Sequence, residues 1–246
     1  MLDLPRLYVN GFPKSGLHLA ELLVAGLYKP AYQGTWFGTN AWAVRKINMD
    51  RLAILATIGK GEYMKGHSGY SKEFEEMLLG LQVGMVFIYR DLRDVAVSQA
   101  YHIQSDDNYL HHPARELYPN DLKGTMRAVI EGCGDDDGIF ERWNNFRIWM
   151  DKPWVLSIKY EELLHKPHKV AKQFLEYVIS LELLHTDKDQ AKISADLFNA
   201  LTNKLAKRTR NKNTVTYRKG KSKQWKYEFT PELERVFNDS KQLLHA

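Results

Sequence analysis

The residues MVFIY at 85–89 are apolar without a break, and that run limits the fold more than any other stretch of the chain. A strand with one wet face alternates apolar and polar side chains. A strand without alternation must be covered on both faces, which is the situation in the middle of a parallel sheet. RLYVN at 6–10 reads as a second short buried strand, EYMK at 62–65 as a third and WVLSI at 154–158 as a fourth. Helical segments fall between them: 15–28, with Leu19, Leu22, Leu23 and Leu27 on one side, then Lys72 to Leu79, and Leu92 to His102, where Asp91 and Asp94 make a capping-box-like start. Further helices are predicted at about 138–150, 160–164 and 167–179, in parts of 187–207, and after Thr230-Pro231. Strands alternating with helices predict an α/β fold, a doubly wound parallel sheet flanked by helices. At 246 residues with 44% apolar side chains, the chain reads as a single domain over 1–246 with one sizeable core.

Several function classes are excluded early. The longest apolar-leaning window, LHLAELLVAGL at 17–27, is interrupted by His18 and Glu21 and is too short to span a bilayer, so no membrane partner is expected. The opening MLDLPRLYV lacks the marks of a secretory signal, and the single cysteine, Cys133, has no partner for an internal disulfide; a cytoplasmic protein is expected. Asp106-Asp107 and Asp135-Asp136-Asp137 sit among turn formers without calcium-loop spacing, and read as caps and solvated loops. Periodicity is weak over 103–137, an excursion of the length that lids and substrate loops take. The net charge is only +5, but 204–226 is crowded with Lys and Arg and holds no acid. A polyanion near that segment, or a solvated basic loop, accounts for it.

The residues NGFPKSGLH at 10–18 join the first strand to the first helix. The first N–H groups of a helix are unpaired and the helix dipole is positive there, so such a turn receives a phosphate. Lys14 adds a mobile charge, Ser15 a hydroxyl and Gly16 room for close approach. The spacing departs from the nucleotide-binding P-loop G-x-x-x-x-G-K-[ST], since two residues separate Gly11 from Lys14 and Gly16 follows the Lys-Ser pair. A P-loop-like small-molecule kinase would need a magnesium carboxylate, for which Asp91 is placed; Arg90, between strand and Asp91, suits an anion better.

Taken together, four segments resemble the sulfotransferases that use 3′-phosphoadenosine 5′-phosphosulfate (PAPS). FPKSG resembles their 5′-phosphosulfate loop, and YRDLRDVAVS at 89–98 their 3′-phosphate motif, with Arg90 and Ser98 as its arginine and serine. KYEEL at 159–163 resembles the segment whose tyrosine, here Tyr160, lies near the adenine, and YRKGKSKQWK at 217–226 resembles the C-terminal element that closes over the 3′-phosphate with Arg218, Lys219 and Gly220. The resemblance implies a core like that of the P-loop nucleotide kinases. It implies transfer of a sulfonate from PAPS to the hydroxyl of a small-molecule acceptor, with release of adenosine 3′,5′-bisphosphate and no metal.

Such a transfer needs a base for the acceptor and a cation for the leaving phosphate. MKGH at 64–67 resembles the K-T-H element that carries the base, which makes His67 the base, with Lys14 and Lys65 stabilising charge. Donor-binding residues implied are Lys14, Ser15, Gly16, Leu17, His18, Arg90, Ser98, Tyr160, Arg218, Lys219 and Gly220. Leu17-His18-Leu19 replaces the family's T-T-W, removing the usual hydroxyls and the adenine-stacking ring; Lys223 stands where the C-terminal element has its second glycine. His102, His111 and His112, with Tyr101, Tyr109, Tyr118, Trp36, Phe37 and Trp42, are candidates to line an acceptor pocket, and the adjacent histidines lack metal-site spacing. A nucleic-acid-binding module using 204–226 is the alternative from another class.

Overall fold

Every pairing of the main sheet is parallel, as the unbroken run at 85–89 predicts. The computed structural model describes residues 4–31, 36–37, 49–185, 195–209 and 221–242. Its elements in chain order are β1 (Arg6–Gly11), α1 (Leu17–Val24), β2 (Lys29–Pro30), β3 (Trp36–Phe37), α2 (Met49–Ala56), β4 (Glu62–Gly66), α3 (Lys72–Gly80) and β5 (Val83–Tyr89). Then come α4 (Leu92–Ser105), α5 (Pro113–Leu117), α6 (Leu122–Glu131), β6 (Gly132–Cys133), β7 (Asp136–Asp137) and α7 (Ile139–Arg147). The chain continues with β8 (Val155–Lys159), α8 (Tyr160–His165), α9 (Pro167–His185), α10 (Ala195–Thr209), α11 (Trp225–Glu228) and α12 (Pro231–Gln242). The sheet runs β2-β4-β1-β5-β8, with β3 also on β4. Trp42, Arg218, Lys219, Gly220 and the predicted helical residues 187–194 lie outside the described residues.

The chain packs as two compact units, Met1–Tyr89 with Ile148–Gly220, and Arg90–Arg147 with Lys221–Ala246. In the first, alternate residues of the strands go to opposite faces, and both faces are covered. Leu7, Val9, Val86, Ile88 and Ile158 join Leu23 of α1, Phe174 of α9 and Leu205 of α10 in one core. On the other face Tyr8 meets Phe74 of α3 edge-on at 5.6 Å, and Phe74 meets Trp149 at 6.0 Å. Parallel pairing brings the strands' carboxyl ends to one edge: Asn10 lies opposite Gly66 and Gly11 opposite Ile88, while Tyr89 lies opposite Lys159. Ligands bind at that edge in open α/β sheets, where the strand order reverses; here β1 stands between β4 and β5.

The second unit corrects the sequence reading of 103–137. Instead of an irregular excursion it holds the end of α4, a 3-10 turn at Asp107–Tyr109, α5, α6 and the β6-β7 hairpin. Each short element is started by a side chain: Asp106 accepts from the N–H of Asn108, His112 from that of Ala114, and Asp121 from those of Lys123 and Gly124. α6 then buries Met126, Val129 and Ile130. Phe237 of α12 packs on Phe140 of α7 at 4.8 Å and on Phe229 at 6.0 Å. Asp91 caps α4 as predicted, accepting from the N–H of Arg93, but Asp94 does not complete a capping box; its carboxylate accepts from the N–H groups of Lys223 and Trp225 instead.

One long-range bond fixes α9 to the sheet. The phenol of Tyr177 accepts from the N–H of Met85 at 2.8 Å and donates to the carbonyl of Trp154 at 2.9 Å, and burial pushes its pKa up. Tyr177→Phe removes the bridge without opening much space and leaves both backbone groups unpaired. Urea unfolding is expected to show a loss of roughly 1–3 kcal/mol; an unchanged midpoint would show that the bridge adds nothing to stability.

Candidate active site

In the first unit, Gly11 ends β1 and the turn Phe12–Gly16 leads into α1. Lys14 and Gly16 both have left-handed backbones, with φ of 64° and 99°. Gly16 is obligatory on two counts, because a Cβ there would lie 2.4 Å from the Tyr160 ring and the positive φ disfavours any side chain. No side chain caps α1 and no acid sits in its first turn, so its N-terminus keeps the free donors and positive dipole that an anion needs. The residues of the turn fit the group that the sequence implies.

Three predicted donor residues are buried. Ser15 is fully buried and its hydroxyl donates to the carbonyl of Ile88 at 2.9 Å, so it braces the turn against β5. Leu17 is buried in the core, which leaves only its backbone to meet a ligand. Tyr160, also buried, presses its ring on Gly16 from the start of α8.

His67 follows β4 directly, and its Nδ1 lies 2.6 Å from the carbonyl of Gly11. A carbonyl only accepts, so Nδ1 carries the proton and the neutral ring has its lone pair on Nε2. Burial lowers the His67 pKa to about 4; the Gly11 bond raises it, and the charges of Lys14, His18 and Lys65 add to the lowering. The ring is therefore neutral at physiological pH. Its neighbour Ser68 is fixed from three directions. The Asn10 amide bonds to both its N–H and its carbonyl, at 2.9 and 2.8 Å; the Tyr8 phenol meets its hydroxyl at 2.7 Å, and Trp149 Nε1 donates to its carbonyl at 2.9 Å.

Lys65 is 8% exposed, and its Nζ lies 2.5 Å from Oε2 of Glu21 on α1. The same carboxylate oxygen lies 3.4 Å from His18 Nδ1, and Oε1 accepts from the Tyr63 phenol at 3.0 Å. Burial raises the Glu21 pKa, but the bonds from His18, Lys65 and Tyr63 and the charge of Lys65 outweigh it, and the net value falls to about 2. Sequence reasoning missed both Glu21 and Asn10. The signal for Glu21 is its spacing, three residues after His18 on one helix face, opposite the alternating Tyr63 and Lys65.

In the second unit, Arg90 and Ser98 flank Asp94, which is 1% exposed. Arg90 Nη2 donates to the carbonyl of Lys221 at 2.7 Å and lies 3.3 Å from Asp94 Oδ2. Asp94 accepts from the N–H of Lys223 at 2.7 Å and that of Trp225 at 3.1 Å, so it draws the segment after Gly220 onto α4. Lys223, at the position where the family's element has glycine, has a φ of 61°, the conformation in which glycine costs least. Ser98 is one helical turn beyond Asp94 on the same face. Asp91, the carboxylate a kinase would offer to magnesium, is held by Arg93 through Nε at 2.9 Å and Nη2 at 2.6 Å. Arg93 in turn lies 3.7 Å over the Trp225 ring.

The predicted acceptor residues have other contacts. His102 packs on Tyr109 at 4.9 Å, His111 is exposed, and His112 caps α5 and lies 3.2 Å from Asp136. Tyr101 donates to Glu228 at 3.0 Å. Trp36 and Phe37 form β3. Among the described residues, no group of three His, Cys, Asp or Glu side chains converges as a metal site, and no helix is long and apolar enough to cross a membrane.

Comparison with solved structures gives the same fold. The mouse sulfotransferase SULT7A1 complexed with PAP is 18% identical, with a TM-score of 0.63 over 96% of this chain and 82% of its own. Retinol dehydratase in complex with androsterone and the inactive cofactor PAP is 16% identical, with a TM-score of 0.60 over 98% of this chain and 81% of its own. Retinol dehydratase in a complex with retinol and PAP is 17% identical, with a TM-score of 0.55 over 98% and 82%. No curated protein sequence matches the chain. Residues 62–243 match the model of the sulfotransferase domain, from β4 through α12 and across both units. That match takes in well over half of the sequence, and the chain belongs to the sulfotransferase family.

Proposed function

We propose that the chain transfers a sulfonate from PAPS to the hydroxyl of a small molecule, as the single sulfotransferase domain over 1–246 that the sequence implies. The observation that carries this reading is the bond from His67 to Gly11, which ties the candidate base to the residue from which the anion-binding turn departs. The backbone N–H groups of Gly16, Leu17 and His18, with the Lys14 ammonium, receive the 5′-phosphosulfate. Arg90 and Ser98 receive the 3′-phosphate with Arg218, Lys219 and Gly220, and a planar guanidinium suits its oxygens. The acceptor proton passes to Nε2 of His67 as the acceptor oxygen bonds to sulfur. The bond from sulfur to the 5′-phosphate oxygen breaks; Lys14 meets the charge that develops on that oxygen, and Lys65 meets the sulfonate in transfer. Tyr160 supports the transfer through the turn it packs on. PAP in the solved relatives, and androsterone and retinol beside it, support a nucleotide donor and a small-molecule acceptor here. The unpaired Cys133 is in keeping with a cytoplasmic setting.

Calorimetric titration with adenosine 3′,5′-bisphosphate, AMP and ATP in EDTA is expected to show clear preference for the bisphosphate, and equal affinities would sink the donor assignment. His67→Ala is expected to keep bisphosphate affinity and to lose 100-fold or more in turnover, on the order of what general base catalysis contributes; near-normal turnover would reject His67 as the base. A base whose conjugate acid has a pKa of about 4 stays active well below the ordinary histidine range. The acid limb of kcat/KM for PAPS should therefore fall near pH 4 and not near 6.5.

A further inference from the structure

We infer that Glu21 is a positioning residue that holds Lys65 on the sulfonate end of the donor; the inference rests on the donor reading above. Glu21 lies on the first turns of α1, directly behind the anion-binding turn, and nothing in the family motif quoted for that turn extends to it. Its two carboxylate oxygens gather groups from two elements. Oε2 takes Lys65 at 2.5 Å and His18 at 3.4 Å, and Oε1 takes Tyr63 at 3.0 Å. Tyr63 and Lys65 are alternate residues of β4 and so share the face that looks toward α1.

A lysine in this place needs such a partner. At 8% exposure its ammonium has little water, and an unpaired charge there is costly. Its four-carbon stem is flexible, so burial alone does not fix where the ammonium points. Glu21 uses one of the three N–H donors, and the pair can present the others to an anion. Lys14, His18 and Lys65 all act electrostatically on His67, so all three side chains lie near the candidate base. Glu21 bonds to two of those three, and its geometry sets their directions. The pair with Lys65 is too buried and too short to be a surface ion pair of negligible worth.

PAPS carries the sulfonate and adenosine 3′,5′-bisphosphate does not, so the two ligands separate positioning from simple folding. Lys65→Met is expected to weaken PAPS binding about tenfold, the worth of one charge-assisted hydrogen bond, and to leave the bisphosphate within about twofold. Glu21→Gln should reproduce that selective loss, and Glu21→Asp, which keeps the charge but draws it back by one methylene, should do so with the melting temperature preserved. Glu21→Gln combined with Lys65→Met should bind PAPS no more weakly than Lys65→Met alone, because Glu21 acts through Lys65. Multiplying losses, equal weakening of both ligands, or a Glu21→Asp variant that binds PAPS like the wild type would each overturn the inference. Failure of the wild-type protein to prefer the bisphosphate over AMP would overturn the donor reading and this inference with it, and that result appears before any substitution is made.

Discussion

The Asn10 amide joins the two strand ends that everything else at this edge depends on. Its oxygen accepts from the N–H groups of both Gly11 and Ser68, and its nitrogen donates to the carbonyl of Ser68. A parallel ladder between β1 and β4 ends at Asn10 and Gly66, and the amide carries the joining of the two strands beyond that last pair. With it, Gly11 and His67 stand within one hydrogen bond of each other. The amide is fully buried, and each of its bonds replaces water that the site excludes. His67 and the turn after Gly11 are thus one rigid object, which suits the proposed reaction, whose proton and leaving group must be handled in the same step.

The turn itself divides its residues between holding and receiving. Ser15 and Tyr160 hold: one reaches in to Ile88 and the other packs on Gly16. The backbone of α1 receives in the proposed reading, since its first turn has neither a capping side chain nor an acid. Left-handed conformations at Lys14 and Gly16 let five residues leave a strand and begin a helix. Lys14 has a Cβ and is less at ease there than glycine, and the surrounding bonds keep it in place.

Legibility in the sequence followed the range of the interaction. β5 was legible because an unbroken apolar run has one structural explanation, and the anion turn was legible because its proline, lysine and glycine act locally. Arg90 and Ser98 come from the family resemblance, which sets their spacing along one strand end and helix. Asn10 and Glu21 were not found, since a lone amide or carboxylate says nothing until the fold brings Ser68 or Lys65 to it. The turn alone offers the Ser15 hydroxyl to an anion, and only the fold shows that it bonds to the carbonyl of Ile88. The spacing of Asp91 and Asp94 predicts a local capping box, whereas the partners of Asp94 lie some 130 residues away. α6 was overlooked because Gly124 and Thr125 weaken its first turn, and it is Asp121 that starts it.

The departure at Leu17-His18-Leu19 sits against the same carboxylate that holds Lys65. Glu21 lies 3.4 Å from His18 Nδ1, so the imidazole has a local acceptor and its ring direction is set. A carboxylate only accepts, so Nδ1 donates in that contact. Leu17, one residue before, is buried in the core. A leucine side chain cannot replace a hydroxyl, and His18 gives one of its nitrogens to Glu21. What the turn keeps for an anion is therefore backbone, at a helix start with no capping side chain and no acid in its first turn.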